Sequence, residues 1–352
     1  MKILKNVRLR GEITDIAIRD GRIASIGKTD EGGIDFEGNK IYPGLIDIHI
    51  HGCIGYDTME GGLSEMSDWL LSRGTTCWYP TTMTMPREKI VWATSQKTDF
   101  GHGASIEGFH LEGPFINPKY KGAMNEKFIT PPDLSLLCDC PMIKIVTVAP
   151  ETEGAMEFIK NSPALVSLGH TDADYDTAIS AFKAGAKCLT HTFNAMPPLL
   201  HKAPGPIGAA VDTEGVYAQL ITDGKHIHPS AVRALVKLLS DDRVIIISDA
   251  MRATGLDDGV YSFGGQPITV TDGYARTESG ALAGSTSTLF DCVKAAISFG
   301  IPEESAVKMA TLNPARLMGL NKGVIKEGYD ADFIIVDDNF NLIKAIARAE
   351  ID

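Results

Sequence analysis

The stretch Leu45-Ile46-Asp47-Ile48-His49-Ile50-His51-Gly52 decides the reading of this chain. Alternate residues of an extended strand point the same way, so both imidazoles of the H-x-H can reach one common ion. Four more potential ligands stand at or just past the end of a short apolar run. Glu112 follows Ser105-Ile106-Glu107-Gly108-Phe109-His110-Leu111, and His170 follows Ala164-Leu165-Val166-Ser167-Leu168-Gly169. His191 ends Ala186-Lys187-Cys188-Leu189-Thr190, and Asp249 ends Arg243-Val244-Ile245-Ile246-Ile247-Ser248. A single histidine is more often a hydrogen-bonded scaffold residue than a ligand. Repetition argues against that reading here, because side chains at the carboxyl ends of successive strands are what a parallel barrel gathers into one site. Imidazoles and carboxylates are the usual ligands of a catalytic zinc or iron that keeps a position open for water.

Strand-like and helix-like segments alternate from Gly44 to about Gly319. Eight strands are expected at 45–50, 75–80, 105–111, 143–149, 164–169, 186–191, 217–222 and 244–248. Helical patterns lie between them at 63–72, 87–97, 173–184 and 229–239, the last opening on Pro229. Eight such units specify an α/β fold, a (β/α)8 TIM-like barrel. The two ends read differently, as short strands joined by turns, with Asp20-Gly21-Arg22 the clearest hairpin signal. Neither end is long enough to bury a sheet face alone. They are expected to pack together as a small β-sandwich, residues 1–43 plus 320–352, with the barrel, 44–319, inserted between them.

At 352 residues the chain exceeds what one hydrophobic core usually supports, which fits a large domain plus a small one. A net charge of −12 argues against nucleic acid as a partner, although a pocket can still be locally basic. No apolar stretch approaches the roughly 20 residues that span a bilayer, and the amino terminus lacks the apolar region of a signal peptide, so no membrane association and a cytoplasmic location are expected. The six cysteines are scattered, and reduced thiols are the default.

A water held by one or two divalent ions has its pKa lowered towards about 7, and a carboxylate beside it can take its proton and pass it to a leaving group. Asp249, ending the last strand, suits that role. The chain has no G-x-G-x-x-G after a strand, no P-loop and no G-x-S-x-G, so hydrolysis at a metal is the expected chemistry. Further contacts are expected from Asn194, beside His191, and from His226, whose donor could polarise a carbonyl. His228 and Asn194 are equally well read as a helix-start residue and a loop cap.

With these residues in hand, Pro43 to Gly52 resembles the opening of the amidohydrolase superfamily. His110-Leu111-Glu112-Gly113-Pro114-Phe115, Gly169-His170-Thr171-Asp172-Ala173, Thr190-His191-Thr192-Phe193-Asn194-Ala195-Met196 and Ser248-Asp249-Ala250 resemble its N-acetylglucosamine-6-phosphate deacetylase family. The similarity runs over essentially the whole chain. It implies hydrolysis of an acetamido sugar phosphate to an amino sugar phosphate and acetate. By the resemblance, Glu112, His170 and His191 match the main metal ligands, His49 and His51 complete a second position, and Asp249 is both ligand and acid/base. The implied cofactor is one or two divalent ions, zinc or iron first and manganese, nickel or cobalt as alternatives.

The resemblance also makes His226 the residue that polarises the acetamide carbonyl. It makes Ala123, Met124, Asn194, Ala195 and the loop Leu282-Ala283-Gly284-Ser285 substrate contacts. Lys202 stands where the family usually has a phosphate-binding arginine that often reaches across a dimer interface, and a homodimer is implied. Lysine keeps that charge without the bidentate geometry. Met124 replaces a more usual histidine or glutamine. The competing readings are a galactosamine-6-phosphate deacetylase or another amidohydrolase, a cyclic-amide hydrolase, for which a carboxylatable lysine would be expected where Glu112 stands, and a noncatalytic scaffold, which would have lost ligands.

Overall fold

The structure is a computed structural model, and it describes residues 1–348. The expected small domain reaches 352, so its last four residues lie outside the described ones.

The barrel strands form where β-branched and aromatic residues run together, and they are joined in parallel. Leu45–Ile50 pairs with Thr75–Pro80, which pairs with Ser105–Ile106. Phe109–Glu112, Ile143–Val148, Leu165–Leu168, Cys188–Leu189, Tyr217–Ile221 and Val244–Ile247 follow in one sheet in that order. The ring is completed where the last strand meets the first: the Asp249 amide donates to the His49 carbonyl at 2.9 Å and the His51 amide to the Ala250 carbonyl at 2.8 Å.

Two expected strands differ from the sequence reading. The third, 105–111, is split at Glu107-Gly108, with a register shift at Phe109 and His110. A side chain at Gly108 would lie 2.9 Å from the Met142 carbonyl and closer still to Lys144, so the backbones approach there only because the residue is glycine. The sixth, 186–191, is ladder only at Cys188–Leu189. Its start is taken up by a helix end, the Ala186 amide donating to Ala181, and its finish by the positive φ of His191.

Helices Leu63–Ser72 and Pro229–Leu239 have the expected limits. Arg87–Thr94 stops three residues early, and Tyr175–Ala184 starts two residues late because the Asp174 side chain caps it by accepting from the Thr177 amide.

The chain termini join in one seven-stranded sheet. Lys2–Leu9, Glu12–Arg19 and Arg22–Ile26 form an antiparallel meander, turning at Asp20 and Gly21, both with positive φ. Lys40–Pro43 then bridges Lys2–Leu9 to Phe333–Val336. Its own core, including Leu4, Ile16, Ile18, Ile41, Phe333 and Ile346, is separate from the main barrel core. Among the described residues, no helix is long and apolar enough to cross a membrane.

One element was not expected. Gly259–Phe263, Gln266–Thr271 and Tyr274–Thr277 make a three-stranded antiparallel sheet between the last barrel strand and helix Leu289–Ser298. Phe263 at its first turn packs edge-on against His51, ring centres 5.1 Å apart.

Candidate metal and active site

The strand ends bring all six predicted donors together. Glu112 Oε1 lies 2.9 Å from His191 Nε2, 3.2 Å from His170 Nε2 and 3.3 Å from His49 Nε2, while Oε2 lies 3.1 Å from His51 Nε2. Asp249 Oδ1 is 3.4 Å from His49 Nε2 and 3.3 Å from His51 Nε2. Five of the donors fall into two overlapping groups that share Glu112: His49 and His51 in one, His170 and His191 in the other, all ligand atoms of each lying within 4.8 Å of one another.

All four histidines aim Nε2 at the shared centre. His170 Nδ1 faces the Tyr120 carbonyl at 2.7 Å, His51 Nδ1 the Thr81 carbonyl at 3.2 Å, and His49 Nδ1 the Gln219 side-chain oxygen at 3.0 Å. A carbonyl only accepts, so Nδ1 donates in each neutral ring, and Nε2 turns a lone pair to the centre.

The electrostatics of such a cluster require positive charge. Burial pulls the His51 imidazole down, but Asp249 and Glu112 beside it outweigh that and raise it to about 10. Burial opposes ionisation of Glu112 too, yet His49, His170 and His191 hold its carboxyl well below the usual range. His49 Nε2 is buried with no hydrogen-bond partner, and the Nε2 atoms of His170 and His191 face each other at 3.1 Å. Lone pairs converging on two carboxylates fit a divalent cation, and this donor set is one that zinc, iron and their neighbours accept.

The backbone reaches this arrangement under strain. His170, His191 and Asp249 have φ of 48°, 29° and 47°, left-handed values that non-glycine residues adopt at a penalty of about 1–3 kcal/mol each. Such strain persists where function demands the side-chain direction. The loop Leu282 to Ser285 helps to hold Asp249: the Ser285 amide donates to the Asp249 carbonyl at 2.7 Å, and a side chain at Gly284 would meet that carbonyl at 3.1 Å.

Five of the six donors line a cavity of about 400 Å³, and His49 is buried behind them. Ala123, Met124, Asn194, Ala195, His226, Leu282, Ala283 and Gly284 also face it. Asn194 serves its bland role as well, its side-chain amide donating to the His191 carbonyl at 3.2 Å. Met124 is buried, with its sulfur 3.4 Å from the Thr84 amide. Asp223 fixes His226, Oδ2 lying 2.8 Å from His226 Nδ1 and Oδ1 accepting the His226 amide at 2.9 Å.

Two expected substrate contacts, Ser285 and Lys202, stand elsewhere, and His228 takes its helix-start reading. Ser285 is buried behind the wall with its hydroxyl on the Ser248 carbonyl at 2.6 Å, His228 is a helix cap on the Ser230 amide, and Lys202 is exposed and does not line the cavity. The sequence reading missed Phe263, Met83, Lys119 and Tyr120 in the cavity wall, and Gln219 and Asp223 behind it. Gln219 carries a legible signal, a lone amide inside the apolar strand Tyr217–Ile221.

A barrel mouth with these donors has the make-up of a metal-dependent hydrolase. Comparison with known proteins narrows this class. The amidohydrolase family model matches residues 148–350, more than half the chain. N-acetylglucosamine-6-phosphate deacetylase of Bacillus subtilis (strain 168) is 36% identical over 96% of this chain and 92% of its own length. N-acetylgalactosamine-6-phosphate deacetylase of Escherichia coli O157:H7 is 33% identical over 93% and 91%. Among solved structures, an aspartate-to-alanine variant of the Mycobacterium smegmatis N-acetyl-D-glucosamine-6-phosphate deacetylase, in complex with N-acetyl-D-glucosamine-6-phosphate, superposes with a TM-score of 0.93. It is 28% identical, and the match covers 99% of this chain and 98% of that one. The chain belongs to the N-acetylglucosamine-6-phosphate deacetylase family of the amidohydrolases.

Proposed function

We propose that this protein hydrolyses the acetamide of N-acetylglucosamine 6-phosphate, giving glucosamine 6-phosphate and acetate. The observation that carries the reading is the convergence of four imidazoles on Glu112 and Asp249, two carboxylates that line one cavity, in a chain whose full-length relatives bear that activity in their names.

Glu112, His170 and His191 would hold one divalent ion, and His49 and His51, with Glu112 and Asp249, would complete a second position. A divalent ion there supplies Lewis acidity, acidifying water and polarising the amide carbonyl. Asp249 takes the proton of the attacking water as the new carbon–oxygen bond forms, then delivers it to the sugar nitrogen as the carbon–nitrogen bond breaks. Asp223 keeps His226 Nδ1 engaged, so the ring presents its other nitrogen to the cavity and, protonated there, donates to the acetamide oxygen as charge develops on it. Ala123, Met124, Asn194, Ala195 and the Leu282 to Gly284 loop bound the sugar.

The phosphate needs a cation. Among the described residues lining the cavity the one Lys or Arg is Lys119, and it is paired with Asp172 at 2.7 Å. That supports a homodimer in which Lys202 of one subunit reaches the other subunit's cavity. Residues 1–43 with 320–352, whose strands form the terminal sheet between Lys2 and Ile346, are read as a small sandwich domain into which the barrel of 44–319 is inserted.

The galactosamine counterpart stands as second reading, favoured by the Escherichia coli relative. Acetate release from N-acetylglucosamine 6-phosphate, its galacto epimer and the unphosphorylated sugar separates them. Turnover of the phosphorylated gluco substrate, lost on chelation, is expected; faster turnover of the galacto substrate would replace the first reading by the second, and no acetate from any would overturn both.

A further inference from the structure

We propose that Gln219 is a positioning residue that holds His49 as a ready ligand for a second metal ion, so that occupancy of the position shared by His49, His51 and Glu112 depends on this one amide. The inference rests on reading the site as a metal centre and is independent of which sugar is the substrate.

Gln219 is the middle residue of Tyr217–Ile221 and is fully buried. The two ends of a carboxamide look alike in outline, and hydrogen bonding decides which is which. Here the His191 amide, which can only donate, lies 3.4 Å from the end that faces His49, so that end is the oxygen. The same oxygen is 3.0 Å from His49 Nδ1. Nδ1 must therefore carry the proton, and Nε2 is left with a lone pair pointing between Glu112 and Asp249.

The other end of the amide, Nε2, is buried with no hydrogen-bond partner. A buried donor left unpaired is destabilising, so an apolar side chain would serve the core better than this glutamine does. Its retention points to the contact it does make. His51 and His170 are held by main-chain carbonyls, from Thr81 and Tyr120, which no substitution removes. His49 alone depends on a side chain. Losing a partner of this kind weakens a metal position about 10–100-fold.

The test counts metal. Apo protein titrated with cobalt(II) is followed by elemental analysis and by the visible absorption of the bound ion. Two ions per subunit are expected for the unaltered protein. In Gln219→Met, which keeps the volume and loses the acceptor, the second ion should bind 10–100-fold more weakly while the first is unchanged. Gln219→Glu, which restores an acceptor for His49 Nδ1, should recover the second ion, whereas a residue that merely fills space would leave Met and Glu variants alike. If Gln219→Met does not fold, Gln219→Asn, one carbon too short to reach His49, takes its place. An unchanged second affinity in the Met or Asn variant, or an unaltered protein that takes up only one ion, overturns the proposal. Failure to release acetate would count against the substrate reading and leave the metal count to stand or fall by itself.

Discussion

Two buried carboxylate sites in this molecule are built to opposite ends. In the terminal sheet, the side chain of Asp15 is wholly buried and answered by the protein itself: the Asn6 and Thr29 amides donate at 2.9 and 3.0 Å, and the Lys5 and Lys28 ammonium groups lie at 3.0 and 3.4 Å. At the barrel mouth, Glu112 and Asp249 are buried too but meet mainly imidazole nitrogens, and those of His49, His51 and His170 are already engaged on their other sides. Burying a charge without compensation is expensive, so the first site is complete and the second is complete only with a cation from outside. A carboxylate surrounded by amides and ammonium groups is architecture, and one surrounded by aligned lone pairs is a binding site.

The sharpest way to test that distinction is to neutralise one carboxylate in each region. Asp249→Asn should lower kcat on the order of 10²–10⁴-fold if Asp249 is the proton-transfer group proposed above, while the unfolding midpoint hardly moves. An active Asp249→Asn would remove the acid/base role. Asp223→Asn should lower kcat/KM by roughly 10-fold with metal content unchanged, because it loosens His226 without touching the ligands. Asp223→Glu should restore part of the loss. Equal damage from both variants would instead indicate a packing role.

In the terminal sheet the same kind of change should act on stability. Burial by itself would raise the Asp15 carboxyl, but the Asn6 and Thr29 amides with Lys5 and Lys28 hold it well below the ordinary carboxylate range. A group depressed in the folded state contributes stability above its unfolded pKa, about 4, and that stability is lost as pH falls further. Asp15→Asn should therefore reduce stability by about 2 kcal/mol at pH 7 and flatten the fall in stability below about pH 4, with kcat unchanged. Urea midpoints from pH 7 to pH 3 check this, and a variant curve parallel to the parent would show that Asp15 is not the group titrating.

The same contrast explains what was legible in the chain. Barrel strands, the Asp20-Gly21 hairpin and the six donors could be read because apolar runs ending in His, Glu or Asp declare both a strand and a direction. The partners behind them could not, since Gln219 meets His49 across 170 positions of sequence and Thr81 and Tyr120 contribute only main-chain oxygen. The sheet 259–277 is signalled only by its turns, Gly264-Gly265 and Asp272-Gly273, and a pattern of eight βα units has no place for an added meander. Lys202 rests on the resemblance alone, and within one subunit it is exposed and does not line the cavity.

The smallest effect concerns how each region makes its tight corners. At the barrel mouth, left-handed backbone is borne by His170, His191 and Asp249, whereas the terminal hairpin gives one of its two such positions to Gly21, with φ of 73°. A side chain at Gly21 would meet nothing closer than the Arg348 carbonyl at 3.9 Å, so space is not the obstacle and only backbone preference is tested. Gly21→Ala should lower stability by about 1 kcal/mol and leave kcat, KM and metal content untouched. Urea unfolding and a steady-state assay on the same preparation decide it. A change in activity would mean that the terminal sheet is coupled to the mouth, and the division between a region that satisfies its own charges and one that waits for a cation would have to be redrawn.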